Sequence, residues 1–222
     1  MAFLSSQSAG HPNLLSREDC IATVVLLIEG AWREVRMRSR LSQLSEPEIA
    51  GLLYLALWKE KRRKRMFGPP FVVDEAAARS QAKLLIPDGW IDLKFIYSFS
   101  DEQSFFGIEC KRLQSSNRRL VAEYVKEGVM RFVDGKYSPG HDWAAMCGFI
   151  IEGRVQHCAK ILESEMETWK DKTRQMHPWR PITTFGKKRL FCSVHKQQPK
   201  GNSISLLHVL LSCSPTKRHG QL

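Results

Sequence analysis

Two short stretches decide the fold: WIDLKFIY at residues 90–97 and FFGIECK at residues 105–111. Both are rich in β-branched and aromatic residues, and apolar side chains alternate with polar ones in the first of them, as is typical of half-buried strands. The polar segment 98–104 between them is short enough to be a hairpin loop. We therefore predict that the two stretches form an antiparallel β-hairpin.

The centre of the hairpin loop also predicts which residues face each other. If the loop is centred between Ser100 and Asp101, Asp92 lies as far before that centre as Glu109 lies after it. Directly opposed side chains point to one face of the sheet with Cβ atoms about 5 Å apart, and Lys111 shares that face because side chains repeat every second residue. The sequence thus predicts that two carboxylates and one ammonium group converge.

Like charges that lie directly opposite each other destabilise a sheet, so this carboxylate pair needs a compensating partner. A divalent cation converts the repulsion into coordination, and oxygen ligands favour Mg²⁺ or Mn²⁺. Asp92 and Glu109 are therefore the candidate metal ligands. Lys111 is placed to hold a water molecule or a phosphate oxygen and to offset charge that develops at phosphorus. An ordinary surface Glu-x-Lys on an edge strand is the alternative interpretation.

The segments around the hairpin predict an α/β fold. Periodicity, caps and turn residues predict, in chain order, helices at 17–41, 45–65 and 117–133, a strand at 144–151, a helix at 155–175, and strands at 189–195 and 204–213. Segment 71–86 is ambiguous between strand and helix. A strand, a crossover helix and a second buried strand in succession favour a parallel pair. We expect one domain over residues 1–222, with loose tails at 1–15 and 214–222.

Composition limits the classes of function. Lys and Arg number 34 and Asp and Glu 23, and the net charge of +11 favours a polyanion as partner, although a basic protein without such a partner is the alternative. The basic run at 61–65 either steers a phosphate backbone or is a solvated helix end. Six cysteines without a Cys-x-x-Cys pair exclude a zinc ribbon and a dithiol redox motif. The apolar runs are too short for a membrane span and no signal-peptide pattern is present, so we expect a cytoplasmic protein with no membrane contact.

A short motif links this hairpin to a known group of enzymes. Its first element is Pro87-Asp88 or Asp92, and its second is Glu109-Cys110-Lys111. This pattern resembles the PD-(D/E)xK superfamily of restriction-endonuclease-like nucleases. The literal pattern selects Asp88, whereas the hairpin register selects Asp92, which we rank first. The resemblance covers about residues 45–151 and implies a restriction-endonuclease-like mixed β-sheet core flanked by helices.

The resemblance implies further residues at the catalytic site. Members often take another acid from the helix before the strands, which points to Glu48 or its neighbour Glu46. Glu48 is also explained as the capping-box partner of Ser45. Members commonly send a polar residue from the crossover helix towards the metal, which points to Tyr124 and Glu127.

Each remaining candidate has a plainer interpretation beside the functional one. Glu127 and Arg131 have the spacing of an exposed salt bridge on one helix face. His195 and His208 on the last two strands either form a metal pair or are partly buried strand histidines, and we favour the second interpretation. The loop at 137–142 either contacts substrate or is an ordinary turn.

These expectations describe a Mg²⁺- or Mn²⁺-dependent nuclease that hydrolyses phosphodiester bonds, with DNA as the favoured substrate. The resemblance suggests a component of defence against phage, in which a homodimer or a partner subunit controls the activity. The alternative is a non-catalytic basic subunit that keeps a nuclease-like fold and acts by binding nucleic acid or by assembly.

Overall fold

The computed structural model describes residues 17–66, 71–73, 76–77, 90–96, 105–182 and 190–214. The strands are β1 Phe71–Val73, β2 Ala76–Ala77, β3 Trp90–Ile91, β4 Leu93–Ile96, β5 Phe105–Gln114, β6 Trp143–Glu152, β7 Gln175–Pro181, β8 Leu190–Lys196 and β9 Ser203–Ser212. The helices are α1 Arg17–Val35, α2 Glu46–Arg63, α3 Arg118–Glu123, α4 Met130–Val133 and α5 Val155–Thr168. A π-helical turn, Tyr124–Val129, joins α3 to α4, and these three segments together are called the crossover helix.

Seven of the strands form one mixed sheet in the order β1-β4-β5-β6-β9-β8-β7, and β2 pairs with β3 separately. The two central pairs, β5 with β6 and β6 with β9, are parallel, whereas the outer pairs are antiparallel. The crossover helix connects the parallel strands β5 and β6, as the succession of elements predicted. The expected α/β class is confirmed as a mixed sheet flanked by helices.

Helices cover both faces of the sheet because alternate strand residues point to opposite sides. On β6, Ala145 and Phe149 join the core under α1 and α2, while Ala144 and Met146 join the core under the crossover helix and α5. Both sets are buried. The sheet thus lies between two hydrophobic cores, and the candidate residues of β5 lie on its crossover-helix side.

The predicted hairpin and its register are confirmed. Leu93 pairs with Ile108 and Ile96 with Phe105 in an antiparallel ladder. Asp92 lies in the bend between β3 and β4, one residue beyond the first of these pairs, and is therefore level with Glu109. The loop at 98–104 and the reserve candidate Asp88 lie outside the described residues.

Two helix ends and one strand differ most from the prediction. Helix α1 ends at Val35 rather than at residue 41, because residues 36–40 offer no buried apolar side chain and Leu41 is buried from a separate 3₁₀ turn. Helix α5 ends at Thr168 rather than at residue 175. The strand that follows, β7, was not predicted, because its two prolines argue against a strand, but it lies at the edge of the sheet, where a missing N–H is tolerated.

The ambiguous segment 71–86 contains the short strands β1 and β2. The predicted tails, apart from Ser214, lie outside the described residues, so the single-domain boundaries stay a prediction. Among the residues that the structure describes, no helix has the length and apolar character needed to cross a bilayer.

Candidate active site

Five charged side chains from four elements meet on the crossover-helix side of β5. We call this set the carboxylate cluster. Its members are Asp92 from the bend before β4, Glu109 and Lys111 from β5, Arg131 from α4, and Glu46 from the first turn of α2. The cluster combines three carboxylates with two cations.

Glu109 lies at the centre of the cluster and is buried, with 1% of its surface exposed. Its Oε1 accepts hydrogen bonds from Lys111 Nζ at 2.7 Å and from Arg131 Nη1 at 2.6 Å. Its Oε2 is also buried, and no N–H or hydroxyl group of the described residues donates to it. A buried acceptor without a partner is costly, so this oxygen marks a place where a further positive group would be stabilising.

Asp92 links the bend before β4 to strand β5. The Cys110 backbone N–H donates to Asp92 Oδ2 at 2.6 Å, and the Asp92 carboxyl also shares a hydrogen bond with Glu109. Burial raises the pKa of Asp92. Burial, and then the charge of Asp92, raise the pKa of Glu109 to about 7 despite the nearby Lys111. The two carboxyl groups therefore retain a proton up to about neutral pH when no cation is present.

Lys111 is held as a fixed ammonium group. Its Nζ donates to Glu46 Oε1 at 2.8 Å, to Glu109 Oε1 at 2.7 Å and to the Cys110 carbonyl at 2.8 Å. These contacts use all three N–H donors of an ammonium group. Burial lowers the pKa of Lys111, but Glu109 and Glu46 outweigh it and the net pKa is raised. Lys111 is thus protonated at neutral pH and does not act as a general base there.

The acid from the helix before the strands is Glu46 rather than Glu48. Glu48 accepts hydrogen bonds from the Ser45 N–H and hydroxyl at 2.8 and 2.6 Å, which closes the predicted capping box on the outside of α2. Glu46 points instead towards β5, where it binds Lys111 and accepts from the Arg112 N–H at 3.0 Å. The two neighbours differ because a residue at the third helical position folds back on the cap, whereas the first position is free to face the sheet.

The crossover helix contributes Arg131 to the cluster, and the structure does not bring Tyr124 or Glu127 there. Tyr124 is fully buried and binds His208, while the side chain of Glu127 is exposed. A π-helical turn adds a residue to the helix and so changes the direction of every side chain after it. Arg131 accordingly faces Glu109, although helical spacing of 3.6 residues predicted one shared face for Tyr124, Glu127 and Arg131.

The two strand histidines are linked to each other through a serine. Because the Thr173 carbonyl only accepts, His195 Nδ1 donates to it at 2.8 Å, and His195 Nε2 accepts from the Ser193 hydroxyl at 2.7 Å. His208 Nε2 then donates to Ser193 Oγ at 2.8 Å, and His208 Nδ1 accepts from Tyr124 at 2.9 Å. Every member is fully buried. The interpretation as strand histidines rather than a metal pair is favoured, although both are fully rather than partly buried. This series of hydrogen bonds, the histidine chain, links β8, β9 and the crossover helix.

No protein-family model, no curated protein and no solved structure matches this chain.

Proposed function

We propose that this protein is a divalent-cation-dependent nuclease of the PD-(D/E)xK type, in which Asp92 and Glu109 hold Mg²⁺ or Mn²⁺. One observation carries the proposal: two buried carboxyl groups, Asp92 and Glu109, share a hydrogen bond, and among the described residues no N–H or hydroxyl group donates to Glu109 Oε2. A protein that needed Glu109 only for structure would gain by giving this oxygen a hydrogen bond.

The residues fit a cation of this kind. The described part of the chain contains no group of three or more His, Cys, Asp or Glu arranged to hold a metal. Mg²⁺, however, is usually bound by one or two carboxylates, several waters and substrate phosphates rather than by a full protein cage. Asp92 and Glu109 supply such a pair of hard oxygen ligands.

The chain's own residues divide the remaining tasks. A bound divalent cation polarises a phosphodiester and lowers the pKa of a water molecule. Lys111 supplies a permanent positive charge beside the acids, which stabilises the charge that develops on the phosphate oxygens. Glu46 holds Lys111 in that position through its 2.8 Å contact. Because Lys111 stays protonated and its three N–H donors are already engaged, it acts as a fixed positive charge and does not remove a proton from the attacking water.

The proposal also includes a substrate class and a particular fold, a restriction-endonuclease-like core. The net charge of +11 supports a polyanionic substrate, and DNA is the first choice. The strand, crossover helix and strand around the cluster support a restriction-endonuclease-like core. A role in defence against phage, with a homodimer or a partner subunit controlling the activity, rests on the resemblance.

Plasmid cleavage tests the proposal. The purified full chain is incubated with plasmid DNA in Mg²⁺, in Mn²⁺ or in EDTA, beside Asp92→Ala, Lys111→Ala and the matched control Glu48→Gln. We expect cleavage that needs the cation, that is lost in the first two variants and that survives in the control. Cleavage that persists in Asp92→Ala or Lys111→Ala would assign the activity to another site.

A non-catalytic binding subunit is the second candidate, and one observation favours it. Lys111 and Arg131 already neutralise Glu109 Oε1, so the cluster is partly satisfied as an internal salt-bridge network without a cation. On this interpretation no condition gives cleavage, and the Asp92 and Lys111 variants still bind nucleic acid as tightly as the native chain.

A further inference from the structure

We propose that Arg131, positioned by Tyr137, binds the phosphodiester group, and that a divalent cation releases it for this task by displacing it from Glu109. This inference rests on the proposed function and assigns the substrate-binding residue of the same site.

Arg131 is the member of the cluster that joins the buried acids to the surface. Its side chain is 30% exposed, whereas that of Glu109 is 2% exposed. Its Nη1 donates to Glu109 Oε1 at 2.6 Å and to the Tyr137 hydroxyl at 2.9 Å, which uses two of the five N–H donors of a guanidinium. A planar guanidinium is the side chain best suited to bind phosphate oxygens with two hydrogen bonds at once.

The charges of the cluster favour this exchange of partners. When all groups are ionised, the three carboxylates and two cations leave a net charge of −1, which repels a phosphodiester. A divalent cation changes this sum to +1, which one phosphodiester charge neutralises. The cation also competes with Arg131, because both approach Glu109 and repel each other. Cation binding therefore weakens the Arg131 contact and makes the site attractive to phosphate at the same time.

The loop after the crossover helix keeps Arg131 in place during the exchange. The Tyr137 N–H donates to the Arg131 carbonyl at 2.9 Å, and the guanidinium lies 5.3 Å from the centre of the buried Tyr137 ring. Gln197, the residue directly after β8, hydrogen-bonds to both ends of this loop. Its Nε2 donates to the carbonyls of Phe132 and Ser138, and its Oε1 accepts from the Gly140 N–H. Tyr137 is thus a fixed anchor near which the guanidinium remains when it leaves Glu109.

Removal of Arg131 is expected to change two affinities in opposite directions, which loss of a purely structural residue would not do. Arg131→Ala is expected to bind Mn²⁺ on the order of tenfold more tightly, because a positive charge beside the ligands is lost. The same variant is expected to bind a DNA duplex in Ca²⁺ about tenfold more weakly or worse, because the charged hydrogen bonds to phosphate are lost.

The experiment measures both affinities on the full chain. Mn²⁺ binding is followed by electron paramagnetic resonance, and binding of a fluorescein-labelled duplex by anisotropy in Ca²⁺ and in EDTA. Arg131→Lys keeps the charge without the planar fork and should give native Mn²⁺ affinity with weakened DNA binding. Tyr137→Phe should weaken DNA binding and leave Mn²⁺ affinity near the native value. Arg119→Ala, an exposed arginine of the same helix, is the matched control and should change neither affinity by more than a small factor.

The outcomes separate this inference from the proposed function. If the native chain binds Mn²⁺ and Asp92→Asn abolishes that binding, the metal site stands. If Arg131→Ala and Arg131→Lys then bind DNA as the native chain does, or lose both affinities together, Arg131 is a structural residue and the inference is overturned. If the native chain binds no Mn²⁺, both the metal site and the inference built on it are overturned.

Discussion

Replacement of Glu109 by Gln is expected to stabilise the cation-free protein at alkaline pH. Burial and the charge of Asp92 raise the pKa of Glu109 from 4.5 to about 7. Between these two values the unfolded chain loses its proton while the folded chain keeps it, so the free energy of unfolding falls as the pH rises. At about 1.4 kcal/mol per pH unit, the loss is about 3 kcal/mol once the pH exceeds 7. Gln has a similar size and no ionisation, so it avoids this loss.

The assay is chemical denaturation in EDTA at pH 5 and pH 8, with Glu163→Gln, an exposed glutamate of α5, as the matched control. The stability of Glu109→Gln relative to the native chain should increase by about 2–3 kcal/mol from pH 5 to pH 8, whereas the control should not change. Mg²⁺ or Mn²⁺ at pH 8 should stabilise the native chain and not the variant. A relative stability of Glu109→Gln that stays constant or decreases towards pH 8 would refute the reasoning, because Lys111 and Arg131 would then outweigh burial and Asp92.

Further predictions concern the histidine chain and the two neighbouring acids. Ser193→Ala removes the partner of two buried ring nitrogens and should lower the free energy of unfolding by about 1–3 kcal/mol in a denaturation experiment. Burial lowers the pKa of His195 to about 4, so the native chain loses stability as the pH falls from 6.5 towards 4, while His195→Gln does not. The stability deficit of that variant should therefore shrink by about 3 kcal/mol between pH 7 and pH 4, and a constant deficit would contradict the burial argument. Glu46→Gln should slow plasmid cleavage about tenfold because Lys111 loses a partner, and Glu48→Gln should leave cleavage unchanged; equal effects would mean that the cap and the cluster act together.

The hairpin and its register were predictable from sequence because the information is local. Alternating side chains and a polar loop fix which residues oppose each other, and Asp92, Glu109 and Lys111 meet as this symmetry requires. The order of strands and helices around the hairpin predicted the parallel β5–β6 pair for a similar reason. These features depend on alternation and chain order, which are visible in a single sequence.

The contributions of Arg131 and Glu46 were not predictable in the same way. The direction of Arg131 depends on the π-helical turn before it, and the 3.6-residue spacing of a regular α-helix does not predict such a turn. The choice between Glu46 and Glu48 depends on which of them closes the cap. The sequence does show the capping box at Ser45. Because that box engages Glu48, Glu46 is the acid of this helix turn that remains to face β5.

The most direct test of the metal site is a crystal of the full chain soaked in Mn²⁺, with anomalous diffraction data collected near the manganese edge. We expect one strong anomalous peak between the carboxyl groups of Asp92 and Glu109, with Glu109 Oε2 as a ligand and Arg131 moved away from Oε1. A peak at another place, or the absence of any peak beside an Arg131 that still binds Glu109, would contradict the account.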